Sequence, residues 1–372
     1  MRSLPSVLDA RLERQRELGL ERSVSLPRGI DFCSNDYLGF SSDLELHKRV
    51  CEATRNLSIG STGSRLLRGH TEIHQRVELA LAQFSGAESA LLYPSGYQAN
   101  VGLLSAILVS SDRVYSDELN HASIIDGILL SGCVKRIYRH ADLNHLESLL
   151  REDEGTPGLK VIMTESLFSM EGDLAPLRDI AALAQRHGAE LIVDEAHATG
   201  LFGPGLTSSL GLSEQVLATV HTGGKSLGIS GAWIAGSPRL REYLFNFSRS
   251  QIFSTAISPW LAASLGTSVA YHNEVGRERT GELHQKIRRF RNRIDSGPEH
   301  LRSPIISWRV GAPQKALELA ATLQMLRFDV RAIRPPTVPE DSCRLRITIK
   351  WTNTDVEIDE FASALLKFRS VV

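Results

Sequence analysis

Two short stretches put reactive side chains just beyond apolar runs: Asp194-Glu195-Ala196-His197 and Gly223-Gly224-Lys225-Ser226. An acid followed by a lysine admits two quite different chemistries. The first is nucleotide hydrolysis, because DEAH and GKS look like pieces of nucleotide-binding motifs. A phosphate loop, however, needs G-x-x-x-x-G-K-[ST] at a strand-to-helix turn, and Thr219 stands where its first glycine belongs. The order is also reversed, with the lysine motif after the acid. The second chemistry needs an amine to form a Schiff base, a carboxylate to keep a ring nitrogen protonated, and donors for a phosphate.

Those three requirements are the ones that pyridoxal 5'-phosphate makes of a protein, and here they occur in order along the chain. Asp194 closes the apolar run Leu191-Ile192-Val193, and Lys225 lies one further strand downstream, so both can reach the same edge of a sheet. Thr222, three residues before Lys225, offers a hydroxyl to phosphate. Upstream, Tyr93-Pro94-Ser95-Gly96-Tyr97-Gln98-Ala99-Asn100 leaves a strand through a small-residue turn into a helix. Backbone N–H groups at such a helix start attract an anion. Gly96 permits close approach and Ser95 can donate. Alone, a Ser-Gly turn is ordinary loop geometry, and it gains weight only from the other two motifs.

The elements that must position these residues are legible as an alternation. Ala90–Tyr93, Arg113–Ser116, Arg136–Tyr138, Val161–Thr164, Leu191–Asp194, Thr219–Thr222 and Ala232–Ala235 are short apolar or β-branched runs separated by helical patterns. That pattern predicts an α/β fold with a mostly parallel, seven-stranded sheet covered by helices on both faces. Function is then expected at the carboxyl ends of the strands. An arginine-rich amphipathic helix is expected over 4–22 and long helices from Pro259 to Ile294. Ile305–Val310, Val330–Ile333 and Arg344–Ile349 read as strands around a helix at Pro313–Leu326. The domains are placed at 1–40 (N-terminal helical segment), 41–280 (large domain) and 281–372 (small α+β domain).

At 372 residues the chain is long enough for two cores rather than one. Lys+Arg 42 against Asp+Glu 43 leaves a formal charge of −1, so there is no cationic surplus for nucleic acid or an acidic membrane. Cys33, Cys51, Cys133 and Cys343 are scattered, with no metal-ligand spacing, which suits free thiols in a reducing compartment. No apolar leader opens the sequence and no run is long enough to span a bilayer. A cytoplasmic enzyme is expected, with no metal.

With these motifs in place, the chain resembles the α-oxoamine synthases, fold-type I pyridoxal phosphate enzymes that condense an amino acid with an acyl thioester and release CO2. The resemblance rests on SNDYLG (34–39), GSTGSRLLRG (60–69), SGYQAN (95–100) and NHASIIDG (120–127). It continues through ESLFSMEGD (165–173), DEAHATG (194–200), HTGGKSLGISG (221–231) and IFSTAISP (252–259), so it runs over nearly the whole chain. IRPPTVP (333–339) with RLRITI (344–349) is most similar to the members that join L-alanine to a pimeloyl thioester, on coenzyme A or a carrier protein, in biotin synthesis. Another amino acid and acyl donor, such as glycine with acetyl-CoA, or a catalytically silent partner subunit, are the competing readings.

The resemblance implies a role for each matched residue. Lys225 forms the Schiff base and acts as base at Cα, Asp194 pairs with the pyridinium nitrogen, and His121 stacks on the ring. His197 and Ser169 hydrogen-bond the ring's phenolic oxygen, while Ser95, Gly96, Tyr97 and Thr222 cradle the phosphate. Tyr97 stands where related sequences often have phenylalanine. Thr255 belongs to a segment that approaches the neighbouring subunit's phosphate, which implies a homodimer. Arg334 clamps the amino acid carboxylate, for which a planar guanidinium is suited. Asn35 and Ser64 are matched as substrate contacts, with turn roles as the competing readings. His140 and His145 are read as structural, and Glu165 and Glu171 as solvated acids. The N-terminal arginine that faces the acyl chain in related synthases has no unique match among Arg14, Arg16 and Arg22, and the connection from 295 to Ile305 is short.

Overall fold

The computed structural model describes residues 3–22, 24–294, 303–335 and 337–368. The chain divides into two units, one of residues 35–169 and 173–282, the other of residues 1–34, 170–172 and 283–372. Strands are numbered β1–β12 in chain order.

In the larger unit, β2 (Ser89–Tyr93), β3 (Arg113–Asp117), β4 (Val134–Tyr138), β5 (Lys160–Glu165), β6 (Glu190–Asp194), β7 (Ala218–Thr222) and β8 (Ala232–Gly236) form one seven-stranded sheet in the order β2-β8-β7-β6-β5-β3-β4. β8 alone runs antiparallel to its neighbours β2 and β7. Each apolar run in the sequence is one of these strands. β4 starts two residues earlier than its apolar run, because Val134 and Lys135 are exposed at the sheet edge and carry no burial pattern. The central strands are buried along nearly their whole length, so Val161, Met163, Ile192, Val220 and Ile234 join Leu91, Leu103 and Ile124 in one apolar cluster. Each such side chain contributes about 1.5–3 kcal/mol on burial. Trp233 is fully buried yet satisfied, its indole N–H donating to Ser85 Oγ at 2.8 Å.

Two helices follow strands that point at the site. Gly96–Ile107 follows β2, and its N-cap Ser95 accepts the Gln98 N–H. Ala122–Ser131 follows β3, with His121 as N-cap and Gly132 in the left-handed conformation at its end. Pro259–Ile294 is one helix of 36 residues.

The smaller unit holds an antiparallel sheet, β11 (Arg331–Ile333), β12 (Cys343–Thr348) and β9 (Ile305–Gly311), with the helix Pro313–Met325. The N-terminal segment groups with it rather than forming a piece of its own, because β1 (Ile30–Asp31) pairs parallel with β10 (Phe328–Asp329). Phe32 also stacks on Phe361 at 4.1 Å, and Asp31 meets Lys350 at 2.6 Å. The N-terminal helix is shorter than expected, Leu4–Glu17, since Gly19 turns the chain at φ +64°. The short connection after residue 294 lies largely outside the described residues, as does Pro336.

Candidate active site

β2, β3, β6 and β7 all end on one side of the large sheet, and the turns leaving them enclose a cavity of about 200 Å³. Gly96, Tyr97, Asn100, His121, Glu165, Asp194, His197, Thr222 and Lys225 are among its lining residues. Seven of the residues singled out in the sequence are therefore brought together: Gly96, Tyr97, His121, Asp194, His197, Thr222 and Lys225.

Asp194 is the last residue of β6 and is 5% exposed. Its Oδ1 accepts the Ala196 N–H at 2.8 Å and its Oδ2 accepts from Asn100 Nδ2 at 2.7 Å, which holds the carboxylate still without any cation bonded to it in those contacts. Lys225 sits in a tight loop between β7 and β8, closed by Gly223 N–H to the Gly231 carbonyl at 2.8 Å and by Gly228 N–H to the Lys225 carbonyl at 2.9 Å. Gly228 is obligatory there. Its φ is +66°, and a Cβ would lie 2.5 Å from the Ser41 backbone nitrogen.

An anion subsite faces this acid–lysine pair. The first N–H groups of helix Gly96–Ile107 lie at the cavity, and Thr222, whose Oγ1 donates to the Gly231 carbonyl at 3.1 Å, lies opposite, 3.8 Å from where a Gly96 Cβ would stand. A phosphate fits such a helix start by dipole and by donor geometry. The donor set thus matches pyridoxal phosphate end to end: carboxylate for the ring nitrogen, lysine for the aldehyde, helix start and hydroxyl for the phosphate. Asn100 Oδ1 is buried with no protein partner, a polar atom on the cavity wall that the protein alone does not satisfy.

Several neighbours were not legible as functional. Glu165, read as a solvated acid, is 3% exposed and accepts the His121 backbone N–H at 2.7 Å. It lies beside Asp194 in the β5–β6 register. Burial and that second carboxylate push its pKa up to about 8, against the opposing pull of Lys225. Burial also lowers the pKa of His121, with Asp194 opposing and Lys225 reinforcing. Asn100 and Ser123 carry no charge to attract notice. The signal for Asn100 was its place four residues after Gly96 on one helix, hence on the same face. Tyr37, from SNDYLG, places its hydroxyl 2.7 Å from His197 Nδ1 and 3.2 Å from Asn35 Oδ1, so Asn35 stands behind His197.

The remaining predicted residues lie elsewhere. Ser95 caps its helix, and Ser169, Ser64 and Thr255 do not line this cavity. Ser64 anchors a turn through its carbonyl, which accepts from Leu67 and Gly69. Thr255 precedes Ala256, whose N–H bonds the Gly63 carbonyl at 3.0 Å, so the 60–69 and 252–259 segments are clamped together. Arg334 belongs to the smaller unit, where its guanidinium donates to the Gly19 and Glu21 carbonyls. Glu171 pairs with Arg344 rather than with water alone. His145 accepts the Arg139 N–H, a structural role. No group of His, Cys, Asp and Glu suited to a metal occurs among the described residues, and no described helix is long and apolar enough to cross a membrane.

Comparison with known proteins gives a consistent picture. Residues 27–365 match the aminotransferase class I and II family. The 8-amino-7-oxononanoate synthase of Marinobacter nauticus is 40% identical over 97% of this chain and 96% of its own length. Among solved structures, a serine palmitoyltransferase of S. paucimobilis with PLP and myriocin bound superposes with a TM-score of 0.89 at 27% identity, over 100% of this chain and 99% of that one. The 8-amino-7-oxononanoate synthase of Francisella tularensis superposes with a TM-score of 0.77 at 29% identity, over 92% and 99%.

Proposed function

This chain belongs to the class I and II aminotransferase family, within its α-oxoamine synthase branch, and from that premise we propose that it condenses L-alanine with a pimeloyl thioester. The products are 8-amino-7-oxononanoate, CO2 and the free thiol. The observation that carries this reading is the cavity that joins Asp194, Lys225 and the Gly96 helix start, in a chain 40% identical over almost its full length to a synthase of that name. The serine palmitoyltransferase superposition speaks to the shared fold at lower identity, and substrate follows the site rather than the fold.

Pyridoxal phosphate, when bound, supplies a protonated ring that takes up the electron pair freed at the amino acid's Cα. The residues do the rest. Asp194, held in place by the Asn100 and Ala196 donors, would accept from the protonated ring nitrogen. The helix start and Thr222 would hold the phosphate, with Ser95 and Tyr97 contributing to the cradle. His121 would cover one ring face and His197, backed by Tyr37, would hydrogen-bond the phenolic oxygen, a contact to which the family resemblance adds Ser169. The Lys225 amine, on the wall of the cavity, removes the Cα proton as general base. Cα then bonds to the thioester carbonyl carbon and the thiol leaves. The alanine carboxylate, now β to a ketone, departs as CO2, and the electron pair it leaves at Cα takes back the proton held by Lys225. Arg334 would hold that carboxylate until then, with Asn35 and Ser64 as the further substrate contacts that the family resemblance assigns. We assign the enzyme to the cytoplasm as a homodimer, with Thr255 reaching the partner's phosphate.

Carboxyl-labelled L-alanine tests the order of events. Labelled CO2 is expected only when pimeloyl-CoA is present. Release of label at the same rate without any acyl donor would make the protein a decarboxylase and overturn the reading.

A further inference from the structure

A chain of three hydrogen bonds links the acid at the foot of the cavity to the imidazole above it. Asp194 Oδ2 is 2.7 Å from Asn100 Nδ2, the same nitrogen is 2.9 Å from Ser123 Oγ, and Ser123 Oγ is 2.8 Å from His121 Nδ1. All four residues line the cavity. A carboxylate only accepts, so the amide of Asn100 must turn its NH2 toward Asp194; reversed, its oxygen would face a second oxygen. That NH2 spends one hydrogen on Asp194 and the other on Ser123. Ser123 Oγ, having accepted, has its own hydrogen left to give, and His121 Nδ1 is the partner in reach. The Ser123 backbone N–H points at the same nitrogen, at 3.2 Å. Were Nδ1 protonated, its N–H would face that backbone N–H, and the hydroxyl hydrogen of a fully buried serine would have no acceptor.

We infer that Asn100 and Ser123 are positioning residues that hold His121 as the neutral imidazole with its proton on Nε2. The direction of every bond in the chain is set by the accepting carboxylate oxygen at its start, so one uncharged amide ties the ring-nitrogen partner to the tautomer of the stacking histidine. A neutral His121 adds no second cation beside Lys225, and its Nε2–H remains available as a donor. The charged and titratable groups around it are Asp194 on β6, Glu165 on β5, Lys225 after β7, Asp126 on its own helix and Tyr97 from the neighbouring helix, whose ring meets it edge-on at 6.4 Å. Burial and Lys225 favour the neutral form, and the carboxylates oppose it.

The inference is independent of which acyl donor the enzyme uses, although its value for catalysis rests on the proposed reaction. It is tested by nitrogen NMR on histidine-labelled protein, with and without pyridoxal phosphate, the His121 signals being identified by their loss in His121→Gln. In the wild type a pyridine-type shift is expected for Nδ1 and a pyrrole-type shift for Nε2 near neutral pH. Asn100→Asp, which replaces the donor by a carboxylate, is expected to put a proton on Nδ1. It should also raise the acid limb of the kcat/KM profile for alanine by about one pH unit, as an added nearby carboxylate does. Ser123→Ala, which spares the acid, is expected to shift the Nδ1 signal, and Ser123→Thr to restore it. A protonated Nδ1 in the wild type would overturn the inference, as would signals unchanged in Ser123→Ala. Failure to turn over alanine, with the predicted shifts present, would count against the proposed reaction alone.

Discussion

His140 makes the sharpest stability prediction in the large unit. Its Nδ1 is 3.0 Å from Asp117 Oδ1 and its Nε2 2.8 Å from Asp173 Oδ2, and its ring meets Phe168 edge-on at 4.4 Å. Carboxylates only accept, so both contacts together require the doubly protonated imidazolium. Burial pulls the pKa down, but the hydrogen bonds to Asp117 and Asp173 outweigh it and hold it up at about 10. A pKa raised above its unfolded value of about 6.5 stabilises the fold fully below that pH, and the contribution is lost as pH rises through about 10. Two charge-assisted bonds, one discounted because Asp173 is 35% exposed, amount to about 2–3 kcal/mol. His140→Gln is therefore expected to unfold in urea with a deficit of about 2 kcal/mol near pH 6, shrinking to under about 1 kcal/mol by pH 10.5. Unfolding curves of both proteins across that range provide the assay. A deficit that stays constant with pH would refute the charged clip and leave only lost packing against Phe168.

Three further outcomes follow from the site. Lys225→Ala is expected to lower turnover by more than about a thousandfold while leaving the circular dichroism spectrum unchanged, consistent with loss of both nucleophile and base; near-normal turnover would remove Lys225 from the mechanism. Glu165, raised to about 8 by burial and Asp194, costs the cofactor-free protein stability as pH climbs from about 4.5 to 8, because the unfolded chain ionises first. Glu165→Gln, which can still accept the His121 N–H, should flatten that slope in pH-dependent denaturation, and an unchanged slope would count against it. Gly228→Ala forces a Cβ to 2.5 Å from the Ser41 nitrogen at φ +66°. It should cost about 2 kcal/mol or more in thermal unfolding and weaken cofactor binding through the displaced Lys225 loop; a neutral effect on both would contradict the description of that turn.

Much of this arrangement is written locally. Leu191-Ile192-Val193-Asp194 becomes β6 because a short, β-branched, unbroken apolar run suits a strand buried on both faces, and its acid falls at the carboxyl end, where ligands bind. Lys225, Thr222 and Gly96 follow from the same rule applied to β7 and β2. What was hidden depends on which strands become neighbours. Glu165 ends its strand as many solvated acids do, and only the β5–β6 pairing sets it beside Asp194 and out of water. Asn100 and Ser123 matter through partners 94 and 23 residues away, a relation that spacing does not express. The apolar stretch Val330–Ile333 reads as one strand. Its last three residues are β11, while Val330 is the point where the chain changes partner from β1 to β12, and the short β10 just before it carried no signal of its own. Val134 and Lys135, exposed at a sheet edge, show how far a strand can extend beyond its hydrophobic signal.

The central claim is tested most directly by thiol release from the purified protein loaded with pyridoxal phosphate, comparing L-alanine plus pimeloyl-CoA with glycine plus acetyl-CoA or succinyl-CoA. The account predicts turnover with the alanine and pimeloyl pair and none above background with the glycine pairs. Turnover confined to a glycine pair would preserve the roles of Lys225 and Asp194 but contradict the assigned reaction.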